Sequence, residues 1–273
     1  MEDGFEVGMV EKIIALWSRV REQRPLVHHI TNMVVMNDTA NITLALGGLP
    51  VMAHAKEEVA EMVGAAGVLV LNPGTLTPYW IDSMLIAGKR ANELGIPVVL
   101  DPVGAGATQL RTESCLRLLN ELKITVVRGN SGEVGALAGM GGVVKGVESV
   151  VEVDNPADVA GALARQYKLT AVITGKRDFI SDGERTICVD NGDPWLKTIT
   201  GTGCMSTTVV GACAAVERDP VLAATSALVG YGIAAELAGV RASGPGTFKV
   251  ALFDEVYNLT AEKIRDKARV VVL

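Results

Sequence analysis

Short apolar runs of the β type recur along this chain, and each is followed by a polar, glycine-containing segment. Val68-Leu69-Val70-Leu71 leads into Asn72-Pro73-Gly74-Thr75, and residues 96–100 lead into Asp101-Pro102-Val103-Gly104-Ala105-Gly106. Residues 124–127 lead into Arg128-Gly129-Asn130-Ser131-Gly132-Glu133, and Ala171-Val172-Ile173 into Thr174-Gly175-Lys176. Helix-like segments at 81–94, 112–122 and 158–167 separate these runs. Near-continuous apolar strands alternating with helices predict an α/β fold, a mostly parallel sheet covered on both faces. Right-handed crossovers then gather the polar loops at the carboxyl ends of the strands, where open α/β sheets bind ligands.

Farther along, residues 179–181, an Asp182-Gly183 turn and residues 186–189 predict a β-hairpin, read as part of a second strand set. After a Gly201-Thr202-Gly203-Cys204 turn the pattern is helical to about residue 239, with alanines at 224, 227, 234, 235 and 238 suited to close helix packing. A final helix is predicted over roughly 247–267, preceded by Pro245. No repeat, low-complexity tract or proline-rich linker divides the chain, so residues 1–273 read as one domain.

Composition narrows the function. With 273 residues, 49% of them hydrophobic, the chain can bury a large core. Its net charge of −6, the lack of a long basic run and an aromatic content of 4% argue against nucleic acid and anionic membranes as partners. Residues 221–240 approach the length of a membrane span but include Thr225, Ser226, Tyr231 and Glu236, which suits a buried helix better. The cysteines at 115, 188, 204 and 213 form no C-x-x-C pair and no disulfide framework, and residues 1–10 lack a signal-peptide pattern. A cytoplasmic protein is expected.

The candidate chemistry centres on residues 201–204. Glycines at 201 and 203 let backbone approach an anion, and the first N–H groups of the helix that follows would be free to bind it. A thiol at that mouth, Cys204, is expected to have a lowered pKa. Arg128 offers a cation, while Asp101 and Glu133 offer carboxylates for Mg²⁺, partly through water. The chain has neither a G-x-x-x-x-G-K-[ST] loop nor a G-x-G-x-x-G loop. Each residue also has an ordinary reading: turn glycines, a core cysteine, an Asp-Pro turn, a helix-opening glutamate, a surface arginine. Their joint placement at strand ends favours a site.

His28 and His29 are adjacent and point to opposite faces of a strand, so they do not share a metal. His28, Thr31, Asn32, Asn37, Asp38 and Asn41 make an N-terminal polar cluster. There Asn32 could contact a small polar ligand and Met52 could wall a heteroaromatic ring; helix capping and core packing explain the same residues equally well.

Together these motifs resemble the hydroxyethylthiazole kinase family, the thiamine-salvage branch of the ribokinase-like fold. The likeness spans His28 to Asn41, Pro50-Val51-Met52-Ala53, Asn72-Pro73-Gly74-Thr75, Asp101 to Ala105, Arg128-Gly129-Asn130 with Glu133, Thr174-Gly175, and Gly201 to Cys204. Cysteine at 204 marks this branch, since most ribokinase-like kinases carry aspartate there. The resemblance implies a three-layer α/β/α sandwich that phosphorylates 4-methyl-5-(2-hydroxyethyl)thiazole with ATP and Mg²⁺. It implies that Met52 and Gly201 contact the thiazole with Asn32 nearby, that Arg128 and Thr174 bind ATP, and that Asp101 and Glu133 organise Mg²⁺. Cys204 would face the substrate hydroxyl. It further implies a homotrimer with the substrate pocket at a subunit boundary. Asp193 departs from the pattern, in which many members carry histidine before the proline. The rivals are a pyridoxal or hydroxymethylpyrimidine kinase, a nucleotide dehydratase on the same fold, a non-catalytic nucleotide sensor and a cysteine hydrolase.

Overall fold

A computed structural model of the chain describes residues 2–140, 144–145, 148–149 and 155–273. Helix α1 (Glu2–Gln23) precedes β1 (Leu26–Ile30), α2 (Met36–Leu46), β2 (Leu49–Val51), α3 (Val59–Gly64) and β3 (Val68–Leu71). Then come α4 (Pro78–Leu94), β4 (Val98–Leu100), α5 (Gln109–Glu121), β5 (Val126–Asn130) and α6 (Ser131–Leu137). A separate two-stranded pair, β6 (Val144–Lys145) and β7 (Glu148–Ser149), leads to α7 (Pro156–Tyr167) and β8 (Thr170–Thr174). The chain continues through β9 (Asp178–Ser181), β10 (Thr186–Val189), a 3₁₀ turn (Pro194–Thr198), α8 (Thr202–Ala214) and α9 (Pro220–Arg241). It closes with α10 (Pro245–Tyr257), α11 (Ala261–Lys267) and β11 (Val270–Val272).

Among the described residues nine strands share one sheet, in the order β11-β10-β9-β8-β5-β4-β3-β1-β2. The six from β8 to β2 run parallel, and β9, β10 and β11 add on antiparallel. Strand alternation divides the apolar residues between two cores. Val68, Val70, Val99, Val126 and Val172 face one, with Ile42 of α2, Val209 of α8, Ala224 of α9 and Phe248 of α10. Leu69, Leu71, Leu100, Val127 and Ile173 face the other, with Val63 of α3, Met84 of α4, Leu118 of α5 and Leu163 of α7. Strands buried on both faces are what the continuous apolar runs predicted, and three layers result.

Four details differ from the sequence reading. Strand β5 does not stop at Val127; it pairs with β8 through Asn130, so Arg128 lies within the sheet, opposite Val172. The 179–189 hairpin extends the main sheet and is not a second set. The helical stretch after residue 201 breaks before Pro220, where the Asp219 carboxylate accepts the Val221 N–H and caps a new helix. The final helix likewise breaks, with Thr260 capping α11, and the chain end returns as an edge strand beside β10. The most apolar stretch of α9, of mean hydropathy 1.6, is 83% buried inside the fold.

The connections place the functional edge. Crossover α2, from β1 to β2, packs in the first core, whereas α4, from β3 to β4, packs in the second. The chain therefore leaves β1 and β3 in opposite directions, and their carboxyl ends flank a crevice at a topological switch point.

Candidate active site

Asn32 lies just past β1, Asn72 follows β3, Asp101 follows β4, Arg128 lies in β5 and Thr174 ends β8. Facing them is the start of α8. Gly201 opens that helix with φ +88°, a left-handed conformation that suits glycine, and a Cβ there would fall 2.9 Å from Val35 Cγ1. No side chain caps α8, and its first backbone bond is Met205 N–H to Gly201 O, 2.8 Å. The amides of Thr202, Gly203 and Cys204 precede that bond, at the positive end of the helix dipole. The Thr202 hydroxyl turns inward to donate to Leu196 O at 2.7 Å, leaving its amide alone for the mouth.

Arg128 and Val126 share a face of β5, the face on which α8 packs. The guanidinium donates from Nη2 to Thr174 Oγ1 at 2.6 Å, and its buried Nε has no hydrogen-bond partner. It lies against the helix mouth, because a Cβ on Gly203 would stand 2.8 Å from Nη1.

Asp101 is 1% exposed. Its Oδ2 accepts from Asn72 Nδ2 at 3.0 Å and from Thr207 Oγ1 at 2.9 Å. Burial raises its pKa, opposed chiefly by Arg128 and by the hydrogen bonds it accepts. Glu133 forms a capping box with Asn130: Oε2 accepts the Asn130 N–H at 2.9 Å, and Asn130 Oδ1 accepts the Glu133 N–H at 2.9 Å. Its Oε1 accepts the Gly104 N–H at 2.8 Å, tying the β4 loop to α6. Burial, then the Asp101 charge, push Glu133 up to about 7.

Cys204 corrects an expectation. Its thiol is not acidified by the helix mouth; burial, followed by the Asp101 charge, pushes it up to about 12. The sulfur accepts from Asn72 Nδ2 at 3.2 Å and Asn32 Nδ2 at 3.8 Å, and these donors together with Arg128 only partly offset the rise. Near neutral pH it is a thiol, not a thiolate.

The carboxylates fit a hydrated divalent cation better than a naked one. Among the described residues no three His, Cys, Asp or Glu side chains gather as a metal cage. The Asp101 charge adds to the cost of ionising Glu133 in a buried space, which a divalent cation would relieve, and Mg²⁺ would complete its shell with phosphate oxygens and water.

Comparison with known proteins decides the family. Residues 17–262 match the model of the hydroxyethylthiazole kinase family. The chain belongs to this family. It is 65% identical to a hydroxyethylthiazole kinase of Chloroflexus aggregans over 96% of this chain and 95% of that one. It is 51% identical to that of Methanocella arvoryzae over 93% and 95%. The hydroxyethylthiazole kinase structure from Pyrococcus horikoshii superposes with a TM-score of 0.88 at 46% identity, over 96% of this chain and 98% of that one. A pyridoxal kinase from Staphylococcus aureus, 16% identical, shares the fold with a TM-score of 0.59 over 77% and 87%. The family and the ribokinase-like α/β/α sandwich expected from the motifs are those found.

Within this hydroxyethylthiazole kinase fold the other expected residues separate. Asn32 joins the cluster by donating to Asn72 Oδ1 at 2.9 Å. Met52 is half-buried just past edge strand β2, one strand outward from β1, and makes no part of the hydrogen-bonded cluster. Thr31, Asn32 and Asp38 are buried, and Asp38 pairs with Lys249 at 2.7 Å. Asn37 and Asn41 bond each other on the exposed face of α2. Asp193 caps the 3₁₀ turn by accepting the Trp195 N–H at 2.9 Å, a structural task that accounts for it locally.

Sequence reasoning missed four residues. Asn72 opens the Asn72-Pro73-Gly74-Thr75 turn with no role legible in its type, and Thr207 is one helical turn beyond Cys204, the spacing that points to it. Arg111 donates to Gly74 O at 2.8 Å and Val103 O at 3.1 Å, joining the β3 and β4 loops. Asp178, pushed up to about 7 by burial, accepts the Gly175 N–H at 2.9 Å and shapes the turn after Thr174. A cleft of about 700 Å³ at the opposite end of the sheet, lined by Gly67, Pro97, Lys123 and Arg218 among others, shares no residue with this cluster.

Proposed function

We propose that this chain transfers the γ-phosphoryl group of ATP to the primary hydroxyl of 4-methyl-5-(2-hydroxyethyl)thiazole, supplying the phosphate for thiamine synthesis. The observation that carries the reading is the uncapped start of α8 meeting Arg128 and Asp101 in one crevice, in a chain of this family. The amides of Thr202, Gly203 and Cys204 donate to the migrating phosphoryl oxygens as charge builds on them. Arg128, held by Thr174, adds a fixed positive charge on the nucleotide side. Asp101 and Glu133 would hold Mg²⁺, which when bound neutralises phosphate charge.

Cys204 faces the acceptor hydroxyl and orients it. A thiol pushed up to about 12 is already protonated, so it does not strip the alcohol in advance. The proton leaves late, as the bond to phosphorus forms, and positioning outweighs base strength. Asn32, Gly201 and the soft side chain of Met52 line the thiazole side. Exposed Met33, Val34, Leu44 and Val250 support a homotrimer with this pocket at the subunit boundary. We read residues 1–273 as one kinase domain working in the cytoplasm, where its ATP is.

The test is direct. Pure protein with MgATP and the thiazole alcohol should yield ADP and the thiazole phosphate, seen by phosphorus NMR. Pyridoxal and hydroxymethylpyrimidine should be poorer acceptors. Turnover on either of these but not on the thiazole would overturn the assignment.

A further inference from the structure

Asn72 uses every hydrogen-bonding site of its amide, and each reaches a different part of the site. Its Oδ1 accepts from Asn32 Nδ2 at 2.9 Å and from the Gly74 N–H at 3.0 Å. Its Nδ2 donates to Asp101 Oδ2 at 3.0 Å and to Cys204 Sγ at 3.2 Å. Two donors and two acceptor positions are all that an amide side chain has. The backbone donor at Gly74 and the Asp101 carboxylate fix which end is which, so the –NH₂ faces the sulfur. The residue is 2% exposed and sits at the switch point between β1 and β3.

Its two recipients depend on it unequally. Asp101 keeps a second donor, the Thr207 hydroxyl at 2.9 Å, if Asn72 is lost. The sulfur keeps one donor, Asn32 Nδ2 at 3.8 Å, a long and weak contact, while its own S–H stays on Asp101. Removing the Asn72 amide therefore takes from Cys204 its one close donor, leaving the sulfur free to turn about its S–H bond to Asp101. We propose that Asn72 is a positioning residue for phosphoryl transfer, fixing the Cys204 thiol against the acceptor hydroxyl. The inference rests on the site reading above, in which Cys204 faces that hydroxyl.

A mutant cycle tests it, with Asn72→Ala, Thr207→Val and Cys204→Ala made singly and as the two pairs with Cys204→Ala. Asn72→Ala should lower kcat about 10–100-fold while the KM for MgATP stays within about 3-fold, as expected of a misplaced reacting group. In the Cys204→Ala background the same change should cost less than about 3-fold, because its target is gone. Thr207→Val loosens Asp101, which also holds the Cys204 S–H, so it should couple to Cys204→Ala less strongly than Asn72→Ala does. If Asn72→Ala does not fold, Asn72→Ser replaces it: the hydroxyl can still accept the Gly74 N–H but is too short to reach the sulfur. An equal loss from the Asn72 change in both backgrounds, with an active parent enzyme, overturns the positioning role alone. So does an unchanged kcat in Cys204→Ala. A parent protein that phosphorylates no thiazole alcohol overturns the site reading itself.

Discussion

Arg128 lies so tightly across the first turn of α8 that a single added carbon on Gly203 would come within 2.8 Å of its Nη1. The atom it meets is the tip of a long side chain, which can swing aside, so the fold should survive. Gly203→Ala is thus expected to displace the cation and crowd the amide cradle. The KM for MgATP should rise about 10-fold or more, with Tm shifted by only a few degrees. Steady-state kinetics and thermal melts of the same sample decide it, and an unchanged KM would separate Arg128 from nucleotide binding.

The Cys204 thiol, pushed up to about 12, should resist alkylation at neutral pH although it is less buried than Cys115, Cys188 and Cys213. Labelling by iodoacetamide, followed by mass spectrometry, should still be climbing at pH ~10, above the ordinary thiol value of about 8.5. A rate that levels off below that value would mean an activated thiolate and would restore a nucleophile or base at this position.

Glu133 leaves a signature in stability. Its ordinary pKa is 4.5 and the folded state pushes it up to about 7. Between those values the folded chain holds a proton that the unfolded chain has lost. Stability therefore falls as pH rises through this window, by on the order of 3 kcal/mol from this group. Asp178, also pushed up to about 7, acts in the same direction from its ordinary 3.8. Carboxylates held low, such as Asp182, exert their opposite effect below about pH 4, outside the window. Glu133→Gln cannot accept both the Gly104 and the Asn130 N–H, so it should be less stable at every pH. The diagnostic is its flatter slope from pH 4.5 to 7 in urea unfolding; a slope equal to the parent's would remove Glu133 as the source.

Much of the frame was legible because burial leaves its mark on the sequence. Val68 to Leu71 is apolar at every position since alternate residues enter opposite cores, and Asn72, Asp101 and Thr174 mark where those strands surface. Pairing is not written in the same way. The 179–189 hairpin looked independent because nothing in its pattern names β8 as its neighbour, and Arg128-Gly129-Asn130 looked like loop because polar residues can continue a strand where the ligand edge begins. The helix breaks at Pro220 and Thr260 carried cap signals that apolar continuity outweighed.

In the site, residue types with local signatures were readable: the glycines at 201 and 203, and Glu133 three residues after Asn130. Asn72 and Thr207 were not, because their importance lies in partners 132 and 106 positions away. The acidity of Cys204 was misread for a related reason. Sequence gives the helix mouth that favours a thiolate, but not the depth of burial or the Asp101 carboxylate that disfavours it more strongly.

Helix α9 has one more consequence, for how this chain reaches its shape. Its apolar surface is covered partly by α1, which is made before it, and partly by α10 and α11, which are made after it. On the ribosome, a nascent chain that has emerged only as far as Arg241 carries a greasy cylinder still missing one side of its wrapping. Such an intermediate is prone to stick to its neighbours, which makes the interval before α10 and α11 emerge the stage at which a chaperone gives this polypeptide the most protection.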